Sequence, residues 1–95
     1  MAKGYVIAHA HVTDPQKWGQ YAAKASEAIK QYGGQPLARG GRCETTEGNG
    51  CARNVVLEFP TFEAARAYAH SPEYAEARKL REGAGTIDIT IVEGV

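Results

Sequence analysis

The sequence lacks any surplus of charge: eleven basic and eleven acidic residues cancel over its 95 residues. A surface for nucleic acid or anionic lipid shows itself as clustered Lys and Arg, and no basic stripe stands out here. Long apolar runs are missing too, with nothing near the roughly 20 residues needed to cross a bilayer. The N-terminal run Tyr5-Val6-Ile7-Ala8-His9 alternates, whereas a signal peptide is continuously apolar and ends at a small-residue cleavage site. The expectation is a cytoplasmic protein with no nucleic-acid or membrane partner. Cysteine is scarce. Cys43 and Cys51 are the only two, and a reducing compartment leaves both as free thiols, although a hairpin would let them pair. No G-x-S-x-G elbow, phosphate loop, C-x-x-C pair or glycine-rich dinucleotide fingerprint occurs, so no cofactor is expected. Aromatic side chains make up only 8% of the chain.

What is present is a regular alternation of strand and helix signals. A chain of 95 residues makes one domain, residues 1–95, small enough that a second copy would add useful core. Tyr5 to Val12 reads as a strand. Tyr5, Ile7, His9 and His11 share one face; Val6, Ala8, Ala10 and Val12 share the other. Asp14-Pro15 caps and starts a helix whose buried stripe is Trp18, Tyr21, Ala22, Ala25, Ile29 and Tyr32, and Gly33-Gly34 stops it. A second strand is expected over about Leu37 to Thr46, with Gly40-Gly41 marking a bulge or a close approach by another backbone. Asn49-Gly50 is a hairpin signal.

Val55 to Phe59 alternates as a third strand, and Pro60 ends it. Thr61 caps a helix carrying Phe62, Ala65 and Ala69. Ser71-Pro72 resets it, and a second helical piece runs from Pro72 to Glu82 before Gly83. Thr86 to Val92 is the fourth strand, with Ile87, Ile89 and Ile91 on one face. The order β-α-β-β-α-β predicts an α+β, ferredoxin-like sandwich: a four-stranded antiparallel sheet with helices on one face. Strands one and three are apolar on both sides, so the uncovered face needs a partner, and a homodimer with face-to-face sheets is expected.

The chain also resembles a known family. Gly4-Tyr5-Val6-Ile7-Ala8, Val12-Thr13-Asp14-Pro15, Tyr32-Gly33-Gly34 and Leu37-Ala38-Arg39-Gly40-Gly41 carry the likeness. It continues in Glu58-Phe59-Pro60, Ser71-Pro72-Glu73-Tyr74, Leu80-Arg81 and Ile91-Val92-Glu93-Gly94. Their order and spacing over nearly the whole chain resemble the family called domain of unknown function 1330. The resemblance implies a ferredoxin-like fold paired into a dimeric α+β barrel, and it names no reaction. The family pattern carries arginine and aspartate where this chain has His9 and His11, and a tryptophan in the segment that here reads Asn49 to Asn54.

Several residues are candidates for chemistry. His9-x-His11 places two imidazoles on one strand face, suited to a metal or to a general base. Zinc would still need His70, Cys43, Cys51 or Asp88 to converge, and without that no metal is expected. Arg39 beside two glycines suits a carboxylate clamp; its alternative is an ion pair at a structural bulge. Tyr74, Arg78 and Arg81 recur at helical spacing. The surface reading is preferred for Arg78, while the family resemblance favours a pocket role for Tyr74 and Arg81. Tyr68 stands between core and cavity wall. Trp18, Tyr21 and Tyr32 read as core, and Cys43 as a small buried hydrophobe rather than a nucleophile beside His9 or His11. The leading expectation is a homodimer with a pocket for a small anionic or aromatic organic molecule, bound through Arg39, Tyr74, Arg81 and Tyr68. A cofactor-free enzyme using His9 or His11 stays open. So do a non-catalytic interaction module and a metal-dependent site on the two histidines.

Overall fold

The computed structural model describes residues 2–95. Strand β1 is Gly4–Val12, helix α1 Pro15–Gln31, β2 Gln35–Arg39 and β3 Arg53–Phe59. Helices α2, Phe62–Ala69, and α3, Pro72–Lys79, precede strand β4, Gly85–Glu93. The sheet order is β2-β3-β1-β4 with every neighbouring pair antiparallel. This is the expected ferredoxin-like arrangement, its second helix broken in two at Ser71-Pro72.

Local chemistry explains the element ends. The Asp14 carboxylate accepts from the Lys17 backbone N–H at 3.2 Å, and Pro15 occupies the first helical turn, where no N–H is needed. Thr61 Oγ1 accepts from Ala64 N–H at 3.0 Å. The Ser71 hydroxyl serves both short helices: it donates to the Tyr68 carbonyl at 2.7 Å and accepts from Tyr74 N–H at 3.0 Å. One buried side chain thereby fixes the angle between α2 and α3 and aims Tyr68 and Tyr74 at the same space.

The 40–52 segment departs from expectation. A strand over Leu37 to Thr46 is not formed: β2 ends at Arg39, and residues 40–52 contain no strand. The irregularity in the ladder falls at Leu37, between Pro36 and Ala38, not at Gly40-Gly41. Gly40 instead takes a left-handed φ of +70° and turns the chain out of the sheet. The residues that follow, Glu44 to Asn49, have no apolar face to bury, so nothing returns them to the ladder. Asn49-Gly50 is therefore not a tight hairpin turn, and Cys43 is exposed rather than buried. Helix α3 likewise ends at Lys79, short of Glu82, and unwinds through turns to Gly83, with φ +77°.

Val6, Ala8 and Ala10 of β1 and Leu57 and Phe59 of β3 face the helices and are buried. Helix α2 lies on β1 and β4, while α1 packs chiefly against α3. Tyr5, Ile7, His9 and His11 project from the opposite face, with Val56 and Glu58 of β3 and Asp88, Thr90 and Val92 of β4. No helix covers that face, and Val92 is 42% exposed on it.

Candidate functional site

Helix α1 presents Trp18 and Tyr21 toward α3, and the rings continue as a chain. Trp18 and Tyr21 meet edge-to-face at 5.3 Å, Tyr21 and Tyr74 at 6.1 Å. Tyr74 and Tyr68 are 5.1 Å apart, and Tyr68 stacks on Phe59 at 5.2 Å. These spacings lie in the favourable range for aromatic pairs. Bulky rings hold α1 off the strands, and the space left between α1 and the sheet is a cavity of about 70 Å³. Its wall is almost wholly apolar, from Val6, Ala8, Ala10, Leu57 and Ile87, and Tyr21, Tyr68 and Tyr74 also line it. It adjoins an open groove of about 420 Å³ that shares Ala10, Trp18, Ala22 and Arg53 with it. The cavity alone is smaller than a typical small-molecule site of roughly 300–1,000 Å³, and the groove beside it is open to the surface.

The polar groups of the cavity are donors. The Tyr21 and Tyr74 hydroxyls lie 2.9 Å apart in a buried hydrogen bond. Burial holds the Tyr21 phenol above the ordinary tyrosine range and neighbouring Tyr74 adds to this, while the Arg81 guanidinium opposes it. Burial also raises Tyr68, with Tyr21 and Tyr74 contributing. Tyr21 and Tyr68 therefore stay protonated near neutral pH.

Two guanidiniums stand at the same site. Arg39 pairs with Val55 across the β2–β3 ladder, which puts it on the helix-facing side, and its Nη1 donates to Ser26 Oγ at 3.2 Å. Arg53 pairs with Ala10, a buried helix-facing residue, and lines both cavity and groove. Neither is ion-paired: among the described residues the salt bridges are Lys3–Glu58 at 3.3 Å and Lys79–Glu76 at 3.6 Å. No aspartate or glutamate lines the cavity or the groove.

The other candidates are placed differently. Tyr68 and Tyr74 line the cavity as expected, but Arg81 does not. Its guanidinium carbon lies 5.1 Å from the Tyr21 ring centre and 5.9 Å from that of Trp18. There it braces the aromatic wall, with its buried Nε lacking a hydrogen-bond partner. Arg78 is exposed. Tyr32 is half-buried at the end of α1 rather than core, and its hydroxyl donates to Glu73 at 2.8 Å.

The two histidines do not share the cavity. His9 stands exposed on the uncovered face, its Nδ1 2.6 Å from Asn54 Oδ1, while His11 borders the outer groove. The expectation that either could act on a ligand held by Tyr68 and Tyr74 is corrected for both, because the two side chains project from the uncovered face with the sheet between, and His11 meets only the edge of the outer groove. A metal site built on the pair lacks its further ligands. Among the described residues no three His, Cys, Asp or Glu side chains gather as a metal would require. Cys43 sits in the 40–52 loop, exposed, with its thiol 3.5 Å from the Ala52 carbonyl.

Arg53 and Ser26 are site residues that sequence reasoning missed. The signal for Arg53 was present: extending the Val55, Leu57, Phe59 alternation back one step makes Arg53 helix-facing.

The family described as Domain of unknown function (DUF1330) matches residues 3–95. The chain belongs to this family. No curated protein matches it. Solved structures of low identity share the fold. A protein of unknown function from Rhodopseudomonas palustris is 14% identical with a TM-score of 0.78, covering 99% of this chain and 83% of that one. A protein from Thermobifida fusca, described as dimeric, ferredoxin-like and of unknown function, is 20% identical at TM-score 0.64, covering 99% and 92%. SnoaB from Streptomyces nogalater, described as a cofactor-independent oxygenase, is 10% identical at TM-score 0.66, covering 97% and 92%.

Proposed function

We propose that the protein binds a small organic anion with an aromatic or otherwise apolar body, in the cavity between α1 and the sheet. The observation that carries this reading is the pair Arg39 and Arg53: two guanidiniums beside an apolar, tyrosine-lined cavity, with no carboxylate in its lining. Such a constellation is poor packing for an empty protein and good recognition chemistry for a ligand carboxylate or oxyanion. Both histidines project from the uncovered sheet face, so no general-base role in the cavity is assigned to either.

A homodimer formed through the uncovered sheet face completes the proposal. Tyr5, Ile7, Val56 and Val92 give that face an apolar strip, and the Thermobifida fusca protein of the same fold is described as dimeric. Trp18 is the one tryptophan of the chain and lines the cavity, so its fluorescence reports occupancy. Titration with benzoate and phenylacetate is expected to change Trp18 emission saturably, and Arg53→Ala to weaken binding by roughly tenfold, the worth of one charge-assisted hydrogen bond. No saturable change with any aromatic anion, or equal affinity in Arg53→Ala, would remove this reading.

A further inference from the structure

We infer that the tyrosine end of the cavity is an oxyanion subsite, holding the ionised oxygen of a phenol or enol against Tyr68 and the Tyr21–Tyr74 pair. This rests on the reading of the cavity as a ligand site and names the chemical class of what it takes.

The inference starts from a donor count. Two phenols that share one hydrogen bond use one of their two hydroxyl hydrogens, so the Tyr21–Tyr74 pair keeps one to give. Tyr68 is 4% exposed, lines the cavity and has no side-chain hydrogen bond among the described residues. Its hydroxyl is not sealed among packed atoms in the way Arg81 Nε is, and the residue lines the cavity, so the unused O–H is within reach of a cavity ligand. Phe at this position would stack on Phe59 equally well. The cavity thus offers two O–H donors at one end and no acceptor-only group.

The surrounding charges select among acceptors. The titratable and charged groups facing this space are Arg39 from β2, Arg53 from β3, Tyr21 from α1, Tyr68 from α2 and Tyr74 from α3. Arg81 lies behind the Tyr21 ring, and His11 sits at the groove rim. All the fixed charge is positive. In an apolar, water-poor cavity, preorganised donors and nearby guanidiniums favour an anionic oxygen far more than they would in water. A neutral ether or methyl group gains nothing from them. Because burial keeps Tyr21 and Tyr68 protonated, those two remain donors when the ligand ionises.

The test compares 4-nitrophenol with 4-nitrotoluene, which has nearly the same shape but no hydroxyl, by calorimetry on the intact protein. The absorbance of the bound nitrophenol then follows its ionisation across pH. Wild type is expected to prefer the phenol by roughly tenfold or more and to lower the bound phenol's pKa. Tyr68→Phe is expected to remove most of that preference while leaving the melting temperature of the ligand-free protein unchanged or raised. Tyr74→Phe is expected to reduce the preference as well, and serves as an independent variant. Equal binding of the two probes, or a preference unaltered in both variants, would overturn the oxyanion subsite alone. A lowered melting temperature in Tyr68→Phe would show that the hydroxyl already has a structural partner and would also overturn it. Failure of both probes to bind would remove the cavity reading and this inference together.

Discussion

The two faces of the sheet are built from the same strands and do opposite things. On the helix side, β1 and β3 contribute Val6, Ala8, Leu57 and Phe59 to a packed core. There the polar groups are few: the buried phenols of Tyr21, Tyr68 and Tyr74, with the exposed Arg39 and half-buried Arg53 at the strand ends. On the other side the same strands contribute Tyr5, Ile7, His9 and Val56, which no helix of their own chain covers. Polar contacts there stay lateral, as in His9 with Asn54 and Tyr5 with Glu58. The difference teaches that one strand can carry a packed helix-side face and a separate uncovered face at once, because period-2 alternation keeps the two residue sets apart.

The strongest way to break this comparison is to damage each face in turn. Phe59→Ala opens the helix-side core beneath Tyr68 and is expected to cost about 3–5 kcal/mol in urea unfolding, with ligand binding lost along with the fold. An outward change, Ile7→Asp, is expected to leave the protomer folded. It should raise the dimer dissociation constant by roughly a hundredfold, about 2.7 kcal/mol, as followed by light scattering over a dilution series. Should Ile7→Asp unfold the protomer, or leave the scattering mass of wild type and variant identical, the uncovered face is not an association surface.

A smaller effect tests the buried phenol pair. Tyr21→Phe removes the hydroxyl from its 2.9 Å bond to Tyr74 and is expected to cost about 0.5–1.5 kcal/mol of stability. Burial also raises the folded-state pKa of Tyr21 and Tyr68. Their contribution is therefore full below the ordinary tyrosine pKa of about 10 and is lost as pH rises beyond it. A wild-type melting temperature that stays flat through the alkaline range would contradict this.

The smallest effect lies outside the site and sharpens the contrast by its weakness. Glu73 accepts a hydrogen bond from Tyr32, which holds its carboxyl below the usual range. A depressed carboxylate pKa stabilises the fold above the unfolded-state value, and that stability fades as pH falls through the folded-state value. Tyr32→Phe is expected to flatten this part of the acid limb slightly in a thermal-melt series, without altering ligand affinity.

Much of the fold was legible in the sequence because its signals are local. Asp14-Pro15, Thr61 and Ser71-Pro72 name the helix starts by their capping chemistry, and the β1 alternation already placed His9 with Tyr5 and Ile7 rather than with Val6 and Ala8. The 40–52 segment was misread because Gly40-Gly41 suits a bulge and a strand end equally well, and only pairing with β3 separates them. The site was less legible. Tyr21 and Tyr74 meet across 53 residues of sequence, a contact made by α1 leaning on α3. Arg53 was overlooked because the strand was begun at Val55, two residues late. Arg81 was misplaced for a similar reason: helical spacing puts it near Tyr74 but does not show that the Trp18 and Tyr21 rings stand between it and the cavity.

The division between the two faces is tested most directly by titrating Trp18 fluorescence with benzoate in wild type, an Arg39→Ala/Arg53→Ala double variant and a His9→Ala variant. Binding is expected to be lost or weakened by well over tenfold in the double-arginine variant and unchanged in His9→Ala. Binding retained without the arginines but abolished without His9 would place the ligand on the uncovered face and contradict the assignment.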